Sequence, residues 1–429
     1  MNQAPEGKEA ANNKTGKRRR VLFIAEAVSL AHVARPAVLA QALDPEQYTV
    51  CLACDPRFDA LFTELPFERR SIYSISTQSF LAALAKGSPI YTTSTLRRYV
   101  RDDLELLRAW SPDLVVGDFR LSLAVSARAA GIPYLTITNA YWSPYARQRY
   151  PIPEHVMARL VGVDLAQALF RLVRPLIFAA HTIPMNRVRK EWGQPLLGTD
   201  LRRVYTDADH TLYADVPGFI ETAGMPDDHH HFLGPVLWSP PQAFPDWWNE
   251  VRNDRPIIYV TPGSSGDSRL LTNVLQALAG LPVEVMVATA GQSSAAPVPA
   301  NVHSADYLPG MQAAARADLV ICNGGSPTTQ QALAAGTPVL GICSNLDQYL
   351  NMQAVATTGA GMMLRAGKAS VGAVRAAVER LLADPSCQEA AQRMADRYRV
   401  YDANQRFSSI VEQLLPVTGG TAATGGELA

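Results

Sequence analysis

ADLVICNGGSPTTQQALAAGTPVLGICSNLDQYLN, residues 317–351, reads as one winding of a βα sheet. Its strand 318–322 is short and, after Asp318, continuously apolar, as a strand buried on both faces must be. The run ends in Asn323-Gly324-Gly325-Ser326, and a helical stretch, 328–335, follows at once and closes on Gly336. A second strand, 338–342, comes next. Two strands joined by a helix lie parallel, in a sheet covered by helices on both sides. The paired glycines let backbone approach a ligand closely. Free N–H groups and the positive end of the helix dipole favour an anion there, and a diphosphate is the natural tenant. Ser326 is the expected N-cap, with Pro327 at the first helical position. Taken alone, the same turn also serves as a plain strand-to-helix corner.

The alternation extends in both directions. Strand 256–260, helix 270–279 and strand 283–288 precede the segment, and helices 371–382 and 389–415 follow it. The first half repeats the pattern with strand 20–26, helix 34–43, strand 48–53, helix 91–110, strand 114–116, helix 121–130 and strand 132–138. Between the halves Pro235, Trp238, Pro240, Pro241, Pro245, Trp247 and Trp248 crowd together, which marks 236–252 as a linker. A chain of 429 residues exceeds one ordinary core. The expectation is therefore an α/β protein of two Rossmann-like domains, 20–235 and 253–417, with tails at 1–19 and 418–429. The last helix is free to pack back on the first domain. Ligands of such sheets bind beyond the carboxyl ends of the strands, which places the active site in the cleft between the domains.

Composition removes several function classes. The 39 basic and 39 acidic residues balance, so no surplus of Lys and Arg speaks for nucleic-acid binding. Cys51 and Cys54 form a lone C-x-x-C inside the apolar run 48–53 and read as buried strand thiols, which fits a reducing cytoplasm. Arg18-Arg19-Arg20 before Val21 superficially resembles a signal peptide, but Glu26 and His32 interrupt the run and no small-residue cleavage site follows. The apolar stretch 160–184 carries Asp164, Arg171 and Arg174 and does not read as a membrane span. It is expected in the core or lining a greasy acceptor pocket. A helix lying on a membrane surface is the alternative, so peripheral contact stays open. Asp227-Asp228 followed by His229-His230-His231 reads as a solvated loop, and no metal site is expected. The oligomeric state is not readable.

The segment 317–351 resembles the donor motif of the family 1 glycosyltransferases, which include macrolide and plant natural-product glucosyltransferases. That motif reads approximately H-G-G-x-G-T, continues through E-A-L-x-x-G-x-P and ends in D-Q-x-x-N. Here stand Gly324, Gly325, Thr328, Ala332-Leu333-Ala334-Ala335-Gly336, Pro338, Asp347-Gln348 and Asn351. Upstream, Asp306-Tyr307-Leu308-Pro309 resembles the loop that seats the nucleotide base, and Thr261-Pro262-Gly263-Ser264 resembles a turn near the phosphates. The resemblance implies the two-domain GT-B fold, a UDP- or dTDP-sugar as co-substrate and no other cofactor. It also implies Gly325, Ser326 and Thr328 on the diphosphate, flanked by Asn323, Gly263 and Ser264. Leu308 would meet the base through its backbone, and Asp347 and Gln348 would bond sugar hydroxyls. Two positions depart from the family. Asn323 replaces a His and cannot carry positive charge. Pro327 replaces Gly or Asn and removes one N–H from the phosphate nest.

In the first half, Ala31-His32-Val33-Ala34-Arg35-Pro36 partly matches the family's Gly-His-x-x-P pattern after the first strand. The resemblance makes His32 the general base, work that suits an imidazole. Asp118, at the end of the strand beginning at 114, is its expected partner, with Glu26 the competitor. The other reading of Asp118 is a helix N-cap. No G-x-G-x-x-G follows the first strand, which argues against an NAD or FAD enzyme. The expected reaction is inverting transfer of a sugar to a hydroxyl of a small apolar or aromatic acceptor. Residues 141–194, rich in Tyr, Trp, Leu and Arg, are expected to hold it. The alternatives are a non-catalytic GT-B protein that binds a sugar nucleotide or a partner enzyme, or another sugar-nucleotide enzyme of this fold.

Overall fold

Strands buried on both faces carry two parallel sheets. The computed structural model describes residues 18–62, 65–263, 268–289 and 299–416. In the first sheet lie β1 (Arg19–Ala25), β2 (Tyr48–Cys54), β3 (Glu68–Ser71), β4 (Leu114–Asp118), β5 (Tyr134–Thr138), β6 (His210–Tyr213) and β7 (His230–Phe232). Their order is β3-β2-β1-β4-β5-β6-β7, and every pair is parallel. In the second lie β8 (Ile257–Thr261), β9 (Glu284–Ala288), β10 (Val302–Ala305), β11 (Leu319–Cys322), β12 (Val339–Cys343) and β13 (Gly361–Arg365), in the order β10-β9-β8-β11-β12-β13. Each winding starts at the middle, runs out to one edge, then returns and runs to the other. The reversal falls between β1 and β4 in one sheet and between β8 and β11 in the other. Such switch points leave a crevice at the strand ends.

Several elements differ from the sequence reading. The first helix spans Leu30–Gln41 and starts earlier than expected. Pro36 lies inside it and has no N–H to offer the His32 carbonyl, one turn back. The expected helix 389–415 is two helices, Pro385–Arg399 and Ala403–Leu414. Asp402 breaks the run because its side chain caps the Asn404 and Gln405 N–H groups. Residues His230 and His231 belong to the edge strand β7 and not to a loop. All five cysteines are buried free thiols, and burial pushes Cys51 and Cys54 up to about 12.

The last helix returns to the first sheet. Phe407, Val411 and Leu415 share a core with Val21, Phe23 and Leu39, and the rings of Phe23 and Phe407 lie 5.8 Å apart. The expected tails lie outside the described residues except for Arg18 and Arg19, and Arg19 already belongs to β1. Among the described residues no helix is long and apolar enough to cross a membrane.

Candidate active site

The two switch points border one cleft of about 740 Å³. His32 lines it from the first turn of the helix Leu30–Gln41, not from the loop before it. Its Nδ1 lies 2.7 Å from Oδ1 of Asp118, the fully buried last residue of β4. An ionised carboxylate only accepts, so Nδ1 is the donor of this pair and the neutral tautomer it selects leaves Nε2 as acceptor, although Arg35 Nη2 also stands 3.1 Å from Nδ1. Asp118 does not cap the next helix, because Ser122 occupies that position. Glu26 is not the partner. It accepts from the Tyr99 hydroxyl at 2.7 Å and from Arg120 Nη1 at 3.1 Å, in a buried cluster with Asp103. Burial pushes the Glu26 carboxyl up against the opposing pull of Arg120.

Two residues complete this half of the site, and neither was expected. Arg35 forks onto Asp118, with Nε to Oδ2 at 2.8 Å and Nη2 to Oδ1 at 2.8 Å. Burial works against its charge, and the Asp118 carboxylate outweighs that. The available signal was spacing, since Arg35 lies three residues after His32 and shares its helix face. Phe119 stacks on the imidazole, with ring centres 4.7 Å apart and planes at 10°. It does so from a left-handed backbone, φ 58°, which costs roughly 1–3 kcal/mol in a residue with a side chain. The imidazole is thereby fixed by a carboxylate at one nitrogen and a ring on its face.

The second-domain wall of the cleft is built on the turn after β11. Gly324 has φ 82°, and a Cβ there would stand 2.7 Å from Cys343 Sγ and from Met352 Cγ, so only glycine fits. Asn351, the last residue of the long motif, ties the turn down by donating to the Gly324 carbonyl at 2.8 Å. Gly325, not Ser326, is the N-cap of the helix Ser326–Ala334. The Asn323 side chain accepts from the Gly325 N–H at 3.0 Å and so braces the turn. The Ser326 hydroxyl points across the cleft to Asn139 Oδ1 at 3.3 Å. The N–H groups of Ser326 and Thr328 remain at the helix start, where first-turn donors have no acceptor within the helix.

Of the other residues expected to bind the donor, those described line the same cleft. Gly263 does so from the end of β8, and a Cβ on it would lie 3.2 Å from Asn323. Ser264 lies outside the described residues. Leu308 is buried on the cleft wall beside Tyr307. Asp347 Oδ1 accepts from Trp142 Nε1, contributed by the first half, at 2.8 Å, and its other oxygen has no partner among the described residues. Gln348 has a different first task from the one expected. Its Oε1 accepts from the Ser344 N–H at 2.9 Å and closes a capping box with Asn345, so only its amide group is left for a sugar.

A buried polar chain joins the halves. Arg35 Nη1 donates to Asn139 Oδ1 at 3.0 Å, and Asn139 Nδ2 donates to Asp215 at 3.2 Å. Asp215 also accepts from the Ala140 N–H at 2.6 Å and from Gln330, which is on the helix Ser326–Ala334, at 3.3 Å. Burial pushes Asp215 up to about 6, against these donors and Arg35. The folded chain therefore holds this proton more tightly than the unfolded chain. The resulting stabilisation is full below about pH 4, the ordinary Asp value, and is lost as pH rises through 6. Asp215→Asn should remove that slope. The stability gap between variant and wild type, followed by denaturant melts from pH 4 to 7, should shift by about 2 kcal/mol in the variant's favour. A gap that stays constant would mean the carboxylate titrates normally.

Two parallel sheets of this winding, with one cleft at their strand ends and a His–Asp pair on its first-domain wall, have the arrangement of the GT-B fold. Residues 272–413 match the family described as Erythromycin biosynthesis protein CIII-like, C-terminal domain. The chain is 52% identical over 389 residues to a PGL/p-HBAD biosynthesis glycosyltransferase of Mycobacterium tuberculosis (strain ATCC 25177 / H37Ra), covering 91% of each. It is also 52% identical over 390 residues to a PGL/p-HBAD biosynthesis rhamnosyltransferase of Mycobacterium bovis (strain BCG / Pasteur 1173P2), covering 91% of this chain and 86% of that one. The spinosyn rhamnosyltransferase SpnG, complexed with thymidine diphosphate, shares the fold with a TM-score of 0.64 at 18% identity, over 92% of this chain and 99% of that one. The chain belongs to the family of these PGL/p-HBAD biosynthesis glycosyltransferases.

Proposed function

We propose that the chain is an inverting transferase that moves a hexose from a dTDP- or UDP-sugar to a hydroxyl of an apolar acceptor. The observation that carries this is the His32–Asp118 pair, clamped by Arg35, on the same cleft as the start of the helix Ser326–Ala334. The rhamnosyltransferase relative makes rhamnose the first sugar to try. The thymidine diphosphate bound by the structural neighbour supports dTDP as its carrier.

In this reading His32 Nε2 takes the proton of the acceptor hydroxyl as the oxygen attacks the anomeric carbon. Attack comes from the face opposite the nucleotide, and the bond from that carbon to the diphosphate breaks with its electron pair leaving on the diphosphate. Asp118 stabilises the imidazolium so formed. The N–H groups of Ser326 and Thr328, with the Thr328 hydroxyl, meet the charge on the leaving group. Asp347 holds a sugar hydroxyl with the oxygen that Trp142 leaves open. The acceptor lies among Phe80, Phe119, Phe170, Val173 and Ile177, which make the cleft greasy on the first-domain side. Asn323 supports catalysis by shaping the turn, a task that needs no positive charge.

Thermal melts with dTDP, UDP, GDP and ADP test the donor site. A nucleotide at 100 times its Kd should add about 2.7 kcal/mol. Stabilisation by none of them would sink the reading. Asp347→Ala should keep the shift given by bare diphosphate while losing the extra shift given by the sugar nucleotide. Equal loss of both would take Asp347 off the sugar. Release of dTDP from dTDP-rhamnose only when an alcohol acceptor is present would then establish transfer.

A further inference from the structure

The helix Val163–Glu191 turns an apolar face to solvent. Leu165, Leu169, Leu172, Leu176 and Ile183 recur at helical spacing and share one side, with Leu172 and Leu176 77% and 72% exposed. The short helix Val156–Leu160 prolongs the strip through Met157, Leu160 and Val161, which are all exposed. The other side of the long helix sends Phe170, Phe178, Met185 and Val188 into the core. A chain that stays alone in water seldom leaves so continuous an apolar strip uncovered.

Two observations say what covers it. The first is charge. Exposed Arg159 stands ahead of the strip, Arg171 on its flank, and Arg187 and Lys190 at its far end. Of the two acids in this stretch, Asp164 and Glu191, the second is already paired with Arg97. The second observation is continuity with the cleft. Met157, Leu169 and Val173 are exposed and also line the reaction cleft, so the mouth of the acceptor pocket opens beside the strip.

We propose that this face docks on the surface of an anionic phospholipid bilayer, and that the acceptor enters the cleft sideways from the lipid. The inference rests on the reading of an apolar acceptor given above. The leucines sit at the boundary of headgroups and acyl chains while the basic side chains meet lipid phosphates. A second copy of the chain seated on the strip would instead cover Met157, Leu169 and Val173 and close the acceptor's entry. The helix lies along the membrane and does not cross it.

The test uses the full chain with vesicles of phosphatidylcholine, alone or mixed with phosphatidylglycerol. Wild type should sediment with the mixed vesicles, and less so at high salt. Leu172→Glu and Leu176→Glu should each weaken binding about tenfold or more. Both side chains are exposed and neither lines the cleft, so the variants should melt like wild type and keep full turnover on a water-soluble acceptor. Turnover of an acceptor embedded in vesicles should fall with the binding. Wild type that ignores anionic vesicles, or Glu variants that bind like wild type, would overturn the proposal. So would a dimer seen by light scattering that Leu172→Glu dissolves, because the strip would then belong to a second copy. Vesicle binding lost in the Glu variants, but with no turnover of any acceptor by wild type, would uphold the face and fail the transferase reading instead.

Discussion

Replacing His32 by Ala is expected to lower turnover by roughly 10²–10⁴-fold, the usual weight of a general base. Nucleotide diphosphate affinity should stay near wild type, because His32 belongs to the first domain and the phosphate turn to the second. An alcohol acceptor is the right probe, since an acidic phenol needs the base less and blunts the effect. Steady-state rates, with donor affinity measured in parallel, decide it. Near-normal turnover of the alcohol would leave the transferase but remove this base.

The second large effect is on stability. Arg35→Met should cost about 3–5 kcal/mol, because it leaves the buried Asp118 carboxylate without its forked partner. The chemistry should change too, because Asp118 then has no clamp to hold it against His32, and turnover should fall. Denaturant melts read the first effect and steady-state rates the second. A variant as stable as wild type would show that the Arg35 fork does not hold the buried Asp118 side chain in place.

The central strands were legible because burial on both faces demands continuous apolar runs, and β1, β4, β8 and β11 have them. The edges were not. In β3 the sequence Glu68-Arg69-Arg70-Ser71 looks like a charged loop, and charge is how an edge strand avoids pairing with another chain. The site divides the same way. His32 and Asp118 announce themselves by residue type at strand ends. Arg35, flanked by Ala34 and Pro36, looks like any solvated helix residue until a carboxylate more than eighty positions away is set beside it. Phe119 needs a backbone angle that no composition encodes. Gln348 and Asn351 sit in the recognisable motif, yet what the fold asks of them first is to cap a helix and pin a glycine turn.

The return of the last helix to the first sheet sets an order of events during synthesis. The face of β1 that carries Val21 and Phe23 is finished only by Phe407, Val411 and Leu415. Domains generally fold as units with the N-terminal one first as the chain emerges from the ribosome. Here β1 waits for the helix Ala403–Leu414, so the first domain stays open along that flank until that much later segment has been made. Expressed alone, residues 20–235 would carry the same gap permanently, and mixing in the second half separately would have to fill it in trans.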